Sequence, residues 1–184
     1  MLENNFQPDT SMHEDKKHPC NLYSFFDAAS QFIEIGLSVF PCRGNKTPLV
    51  SWKEQATKSI EKIKHWDQKF PRAMIGLPTG QRSGIVVLDI DNKNGENGFD
   101  HLRQEALEIP SNALRVNTPS GGAHFYFKLD PDEIIRNSVK KIGPGIDIRG
   151  EGGYVIAPPS INEQGGQYTF TNGASLENLK ELLQ

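Results

Sequence analysis

The chain has 184 residues, a net charge of −3 and 36% apolar residues, which suits one domain with a tail and allows a proper buried core. No apolar run approaches the length of a membrane span and residues 1–19 have no signal-peptide core, so we expect a cytoplasmic protein with no membrane partner. Cys20 and Cys42 are the only cysteines. They are too few for a secreted disulfide framework, and no CxxC or HxxxH spacing joins them to His13 and His18, so no zinc is expected.

In chain order, residues 1–20 read as a flexible polar tail and 21–184 as the folded domain. Asn21 is positioned to cap a helix running to about Ile35, with Tyr23, Phe26, Ala29, Phe32 and Ile33 as its apolar stripe. Leu37 to Pro41 reads as a strand and Arg43 to Pro48 as a loop carrying two cations. Trp52 reads as a packing residue. Thr57 or Ser59 caps a second helix, Ile60 to Lys69, with Ile60, Ile63 and Trp66 on one side. Ala73 to Leu77 and Ile85 to Asp91 are predicted strands, and Phe99 to Leu107 an amphipathic helix closed by Pro110. Short β-branched or aromatic runs follow at Ala113–Asn117, Ala123–Leu129, Gly145–Arg149, Tyr154–Ala157 and Gln167–Thr171, and Ser175 caps a last helix through Leu182. Helices among the early strands, then a run of strands, predict an α+β domain with a mixed or antiparallel sheet.

The net charge does not advertise a nucleic-acid binder. The charge is uneven, however: from Arg43 to Arg72 eight basic residues face three acidic ones. Two readings stand for this stretch. Arg43, Lys46 and Lys53 can meet a phosphate backbone, while Lys58 to Lys69 reads as a solvated helix face.

Three constellations carry chemistry. In Ile85-Val86-Val87-Leu88-Asp89-Ile90-Asp91, strand alternation puts Asp89 and Asp91 on one face. Two like charges side by side either lie at an exposed strand end or hold a cation, for which Mg²⁺ and Mn²⁺ suit an all-oxygen site. Thr118-Pro119-Ser120-Gly121-Gly122-Ala123-His124 joins two strands. It is either a plain hairpin turn or an anion loop in which the Gly121 and Gly122 amides, the Ser120 hydroxyl and His124 face a phosphate. In Gly145-Ile146-Asp147-Ile148-Arg149-Gly150, Asp147 and Arg149 share a strand face.

The order of these sites resembles the bifunctional primase-polymerase (prim-pol) domain of the archaeo-eukaryotic primase superfamily. The resemblance rests on the strand with DxD, the Ser/Gly turn ending in His124, and Asp147 followed by Arg149-Gly150-Glu151-Gly152-Gly153-Tyr154 and Ala157-Pro158-Pro159-Ser160. Gly44-Asn45-Lys46-Thr47-Pro48, Trp52, Trp66 and Gly76-Leu77-Pro78-Thr79-Gly80 match upstream, and about residues 24 to 171 are covered. It implies an RRM-like sheet core flanked by helices and a template-dependent nucleotidyl transferase, a DNA primase and DNA polymerase serving plasmid, phage or mobile-element replication. It also implies metal ligands at Asp89, Asp91 and Asp147, phosphate contacts from Ser120 and His124, and a triphosphate contact from Arg149. Three carboxylates can hold two Mg²⁺ or Mn²⁺ ions. The partners would be a DNA template and primer and a dNTP or NTP. There is no GxxxxGK[ST] motif, so a replicative helicase would be a separate protein.

Two other readings compete. Leu88-Asp89-Ile90-Asp91 also looks like the nucleophile motif of haloacid-dehalogenase-type phosphatases, which needs a doubly wound parallel sheet. A degenerate prim-pol would bind nucleic acid without incorporating nucleotides, and three clustered carboxylates argue against it.

Overall fold

The computed structural model describes residues 24–184 apart from Asn94 and Asn172. The expected tail, the Asn21 cap and Tyr23, His13, His18 and Cys20 lie outside the described residues. Helix α1, Phe25–Glu34, is capped instead by Ser24, whose hydroxyl accepts from the Asp27 amide. It buries Phe25, Ala28, Ala29 and Phe32, so Phe25 rather than Phe26 takes the core position. Strand β1 is Phe40–Cys42, later than expected, and a short helix α2, Trp52–Gln55, falls where the sequence shows only a tryptophan. Helix α3, Ile60–Lys69, starts at the Ser59 cap and buries Ile63 and Trp66, while Ile60 is 39% exposed. The side chain of Asp67 in α3 accepts from the Phe26 amide at 3.1 Å and ties α3 to α1.

The remaining elements are β2 (Met74–Pro78), β3 (Ile85–Ile90), β4 (Asn92–Lys93), β5 (Glu96–Asn97), α4 (Gly98–Gln104), β6 (Leu114–Asn117), β7 (Ala123–Lys128), β8 (Ser138–Gly143), β9 (Ile146–Arg149), β10 (Tyr154–Ile156), β11 (Thr169–Phe170) and α5 (Leu176–Leu183). The hairpin β4–β5 and strand β8 were not expected. Both lack apolar alternation, β8 because it is a sheet edge that leaves Val139 63% exposed.

Six strands form one sheet in the order β11-β6-β7-β3-β9-β8, three form a second in the order β1-β2-β10, and β4 pairs with β5. Every pairing among the described strands is antiparallel. The expected α+β class therefore holds, with the antiparallel alternative. The doubly wound parallel sheet that a haloacid-dehalogenase-type site at Asp89 requires is absent, because β3 runs antiparallel to both β7 and β9.

Alternation along β3 divides the interior in two. Ile85 and Val87 join the larger core with Leu114, Val116 and Tyr126, under α1, α3 and the three-stranded sheet. Ile90, Phe125 and Ile146 face the other way and pack with Leu102 of α4. Asp89 follows Val87 on the larger-core face, at the end of the sheet where that core gives out. Among the described residues no helix is long and apolar enough to cross a membrane.

The Pro158-Pro159-Ser160 segment works as a clamp. Ser160 is fully buried; its hydroxyl accepts from the Ile75 amide at 2.9 Å, and the Ala157 amide donates to the Ile75 carbonyl at 2.9 Å. Ser160→Ala strands a buried amide in β2, so unfolding in urea should show a loss of about 1–3 kcal/mol. An unchanged midpoint and slope would show that water or a shifted backbone serves Ile75 instead.

Candidate active site

Pairing of β3 with β9 sets Asp89 directly opposite Asp147, and pairing of β3 with β7 sets Asp89 opposite His124. Asp91 lies one residue beyond β3. Its amide donates to the Gly145 carbonyl at 2.8 Å and its carbonyl accepts from the Gly98 amide at 2.9 Å. This close approach needs both glycines: Gly145 has φ +70°, and a Cβ on Gly98 would fall 2.4 Å from the Gly145 oxygen. One carboxylate oxygen from each of Asp89, Asp91 and Asp147 lies within 4.8 Å of the others. Asp147 is 8% exposed, and the other two open slightly more to the cleft.

Each carboxylate meets a donor. Arg149 Nη2 donates to Asp147 Oδ2 at 2.8 Å and to Asp89 Oδ2 at 3.0 Å, with Nε adding a second bond to Asp89 at 3.2 Å. Asp147 Oδ1 accepts from the Lys140 amide at 3.0 Å, where an irregularity in the β8–β9 pairing turns that backbone inward. Lys93 Nζ stands 2.7 Å from Asp91 Oδ1. His124 Nε2 lies 3.5 Å from Asp89 Oδ1. Burial holds the His124 imidazole below its ordinary pKa, outweighing the field of Asp89, so the ring is neutral near pH 7. Its Nδ1 is buried with no partner among the described residues.

These groups open onto a cavity of about 300 Å³ between the two sheets, walled by Asp89, His124 and Arg149 on one side and by Trp52, Tyr154 and Lys46 on the other. A larger cavity, about 560 Å³, lies between α5 and the β6–β7 end. Leu114, Phe127 and Leu182 line it with neutral polar groups and Glu181 alone for charge, whereas the smaller cleft holds an acid, an imidazole and three cations. Trp52 packs as expected, stacked on Phe40 with ring centroids 5.4 Å apart, and it also faces this cleft.

Lys46, expected on a nucleic-acid surface, lines the cleft together with Asp89. Desolvation and then the nearby Lys93 hold its ammonium below the ordinary lysine value against the pull of Asp89 and Asp91. Its loop is fixed by the Tyr154 hydroxyl, which donates to the Lys46 carbonyl at 3.1 Å. Arg43 and Lys53 are exposed outside the cleft, as are Lys58, Lys64 and Lys69. Lys62 is half-buried, its ammonium donating to the Gln55 carbonyl at 2.9 Å.

The turn before β7 is less open than the sequence suggests. The Gly121 amide donates to the Thr118 carbonyl at 3.1 Å, and the Ser120 hydroxyl lies 3.2 Å from that of Thr118. Gly122 is there for packing, since a Cβ would meet the Ile90 oxygen at 2.1 Å. Of this stretch, His124 is the residue that lines the cleft.

Sequence reasoning missed Lys93 and Tyr168 at the site. Lys93 had a signal, two residues past Asp91 in an extended stretch and hence on the same side. Tyr168 had none: it arrives from the far end of the chain, with its ring centroid 5.8 Å from that of His124.

The donor set is all oxygen, which suits a hard divalent cation, and the three aspartates could hold a metal. His124 lines the same cleft, with Nδ1 buried and without a partner among the described residues. His124→Ala tests the expected phosphate contact: nucleotide binding should weaken about tenfold, at the lower end for one charge-assisted hydrogen bond, with Mn²⁺ affinity unchanged. Calorimetric titration of each ligand measures both. A lost Mn²⁺ affinity would make the imidazole a metal ligand instead.

No curated protein matches the chain. A family model described as bifunctional DNA primase/polymerase, N-terminal, matches residues 29–182, a span that holds the three aspartates, His124 and Arg149. The chain belongs to that family.

Proposed function

We propose that the chain is a template-dependent nucleotidyl transferase, a DNA primase and polymerase, with residues 21–184 as its catalytic domain. One observation carries this reading: three carboxylates, from β3, the residue after it and β9, converge beside a cleft lined by Asp89, Arg149, His124, Lys46 and Lys93, inside the span that matches the family. Four adjacent antiparallel strands, β6, β7, β3 and β9, support an RRM-like core with α4 on the face away from the carboxylates.

Asp89, Asp91 and Asp147 would hold two Mg²⁺ or Mn²⁺ ions, which supply activation of the primer 3′-hydroxyl and charge neutralisation at the triphosphate. Around that centre the chain's own groups position the nucleotide. Arg149 is anchored by two carboxylates yet lies on the cleft wall, so its guanidinium is aimed before substrate arrives, at little cost in side-chain freedom. His124 and Lys46 supply further donors to the phosphates, with Ser120 and the Gly121-Gly122 backbone at the rim of the same turn. Exposed Arg43 and Lys53 supply charge for the template backbone, as in replication of a plasmid, phage or mobile element.

Primer extension with Mg²⁺ or Mn²⁺, with and without primer and with dNTP or NTP pools, tests the activity. Asp147→Asn keeps the side-chain shape and removes the charge, so it should lower incorporation by about 10²–10³-fold, in the range seen when one stabilising group leaves a transition state. Circular dichroism should be unchanged. Extension at the normal rate by this variant, or binding without incorporation by the unmodified protein, overturns the mechanism, the second outcome in favour of a degenerate binding module.

A companion measurement reads the polymer surface. Replacing Arg43 and Lys53 by Ala should flatten the dependence of log K on log salt by about 0.7 for each phosphate contact removed from a single strand. An unchanged slope would make these residues a solvated face.

A further inference from the structure

The hairpin β4–β5 carries Lys93 over the carboxylates. The pairing of β4 with β5 sets Lys93 opposite Glu96, the acid nearest to it in the hairpin. Glu96 is already engaged, its carboxylate bonded to Lys140 Nζ at 2.6 Å. Lys93 turns instead to Asp91, at 2.7 Å, while its side chain stays 46% exposed and lines the cleft beside Lys46, His124 and Arg149. Among the described residues, Lys93 and Arg149 are the two cations in direct contact with the three carboxylates, but they are held differently. Arg149 sits in β9, an inner strand of the six-stranded sheet, with three bonds to two acids. Lys93 makes one half-exposed contact from a two-residue strand, the kind of pairing that a competing cation displaces easily.

Resting on the metal-dependent reading above, we propose that Lys93 is a phosphate-binding residue held in reserve by Asp91. A divalent ion that takes Asp91 as a ligand removes the reason for Lys93 to stay there. Two such ions bring four positive charges against three carboxylates, so the cleft changes from one that attracts ammonium groups to one that repels them, unless a polyanion enters. A nucleotide triphosphate is that polyanion. The freed Lys93, already on the wall of the cleft, turns to it as a point charge with three donors. The ion and the nucleotide thereby assist each other: the ion releases a phosphate ligand, and the nucleotide neutralises the charge the ion brought.

This arrangement predicts opposite shifts in one variant, which a merely structural lysine does not give. In Lys93→Ala, Mn²⁺ binding without nucleotide, followed by electron paramagnetic resonance of the free ion, should tighten about threefold, since a competing surface cation has gone. In the same variant at saturating Mn²⁺, dNTP affinity should weaken about tenfold through loss of a charge-assisted contact. Lys93→Arg, which keeps the charge, should restore nucleotide affinity to within about threefold of the unmodified protein, and thermal melting of both variants should be unchanged because Lys93 is exposed. Both affinities weakening together would make Lys93 a support of the metal site, and neither moving would make it a bystander; either result overturns the proposal. Unmodified protein that binds Mn²⁺ and dNTP with these shifts but incorporates nothing would refute the polymerase activity and leave the Lys93 assignment standing. Failure of the unmodified protein to bind Mn²⁺ would overturn both.

Discussion

The interaction on which the rest depends is the antiparallel pairing of β3 with β9, because it sets one carboxylate against another across a sheet. Residues directly opposite on neighbouring strands have side chains about 4.5–5.5 Å apart, and like charges there repel. With oxygens within 4.8 Å, each pair of carboxylates costs about 3–4 kcal/mol at the effective dielectric of a partly exposed site. A sheet holds such a cluster only where cations come with it. Arg149 supplies one from the same strand as Asp147, Lys93 another from the hairpin after Asp91, and the Lys140 amide adds a neutral donor. The cluster is therefore balanced as it stands by its own cations, and its three carboxylates could hold a metal.

Much of the remaining chain serves to keep that cluster in place. Thr79 donates from its hydroxyl to the Gly150 carbonyl at 2.7 Å, and its amide donates to the Gly153 carbonyl at 2.9 Å, so the turn after β2 fastens the turn after Arg149. Ser160 holds the segment after β10 to β2, and Tyr154 holds the loop that carries Lys46. The Thr79, Tyr154 and Ser160 contacts are thus clamps on the three-stranded sheet and on the turn that joins it to β9, while the groups with chemistry sit in shorter motifs. The physical division is sensible: a clamp needs a particular small residue or buried hydroxyl at one spot, whereas the chemistry needs only a charge pointed in the right direction.

The two cores explain why the site is a cleft and not a flat sheet. The face of β3 that carries Ile85 and Val87 is roofed by α1, α3 and the three-stranded sheet, whereas Ile90 on the opposite face rests on α4. The roof stops short of Asp89, and its edge is formed by Trp52 and Tyr154, whose rings pack together with centroids 5.3 Å apart. Cys42 lies beneath that edge, where burial pushes its thiol up to about 12, so it stays protonated and packs as a small apolar side chain.

Sequence alone determined the features that depend on near neighbours. Alternation put Asp89 with Asp91 and Asp147 with Arg149, serine caps placed the starts of α3 and α5, and the α+β class followed from the order of runs. The resemblance carried by the ordered motifs led to the family that the comparison then showed. What only the tertiary structure decided involves contacts between residues far apart in the chain. These include the opposition of Asp89 and Asp147, the entry of Lys46 and Tyr168 into the cleft, and the internal bond that occupies the Gly121 amide. The same holds for β8, an exposed edge whose polar sequence carries no periodic signal, and for β4–β5, too short for any period to appear. Side-chain direction within a strand is set by backbone pleat and is legible locally, whereas which strand lies beside it is set by the burial of both cores at once.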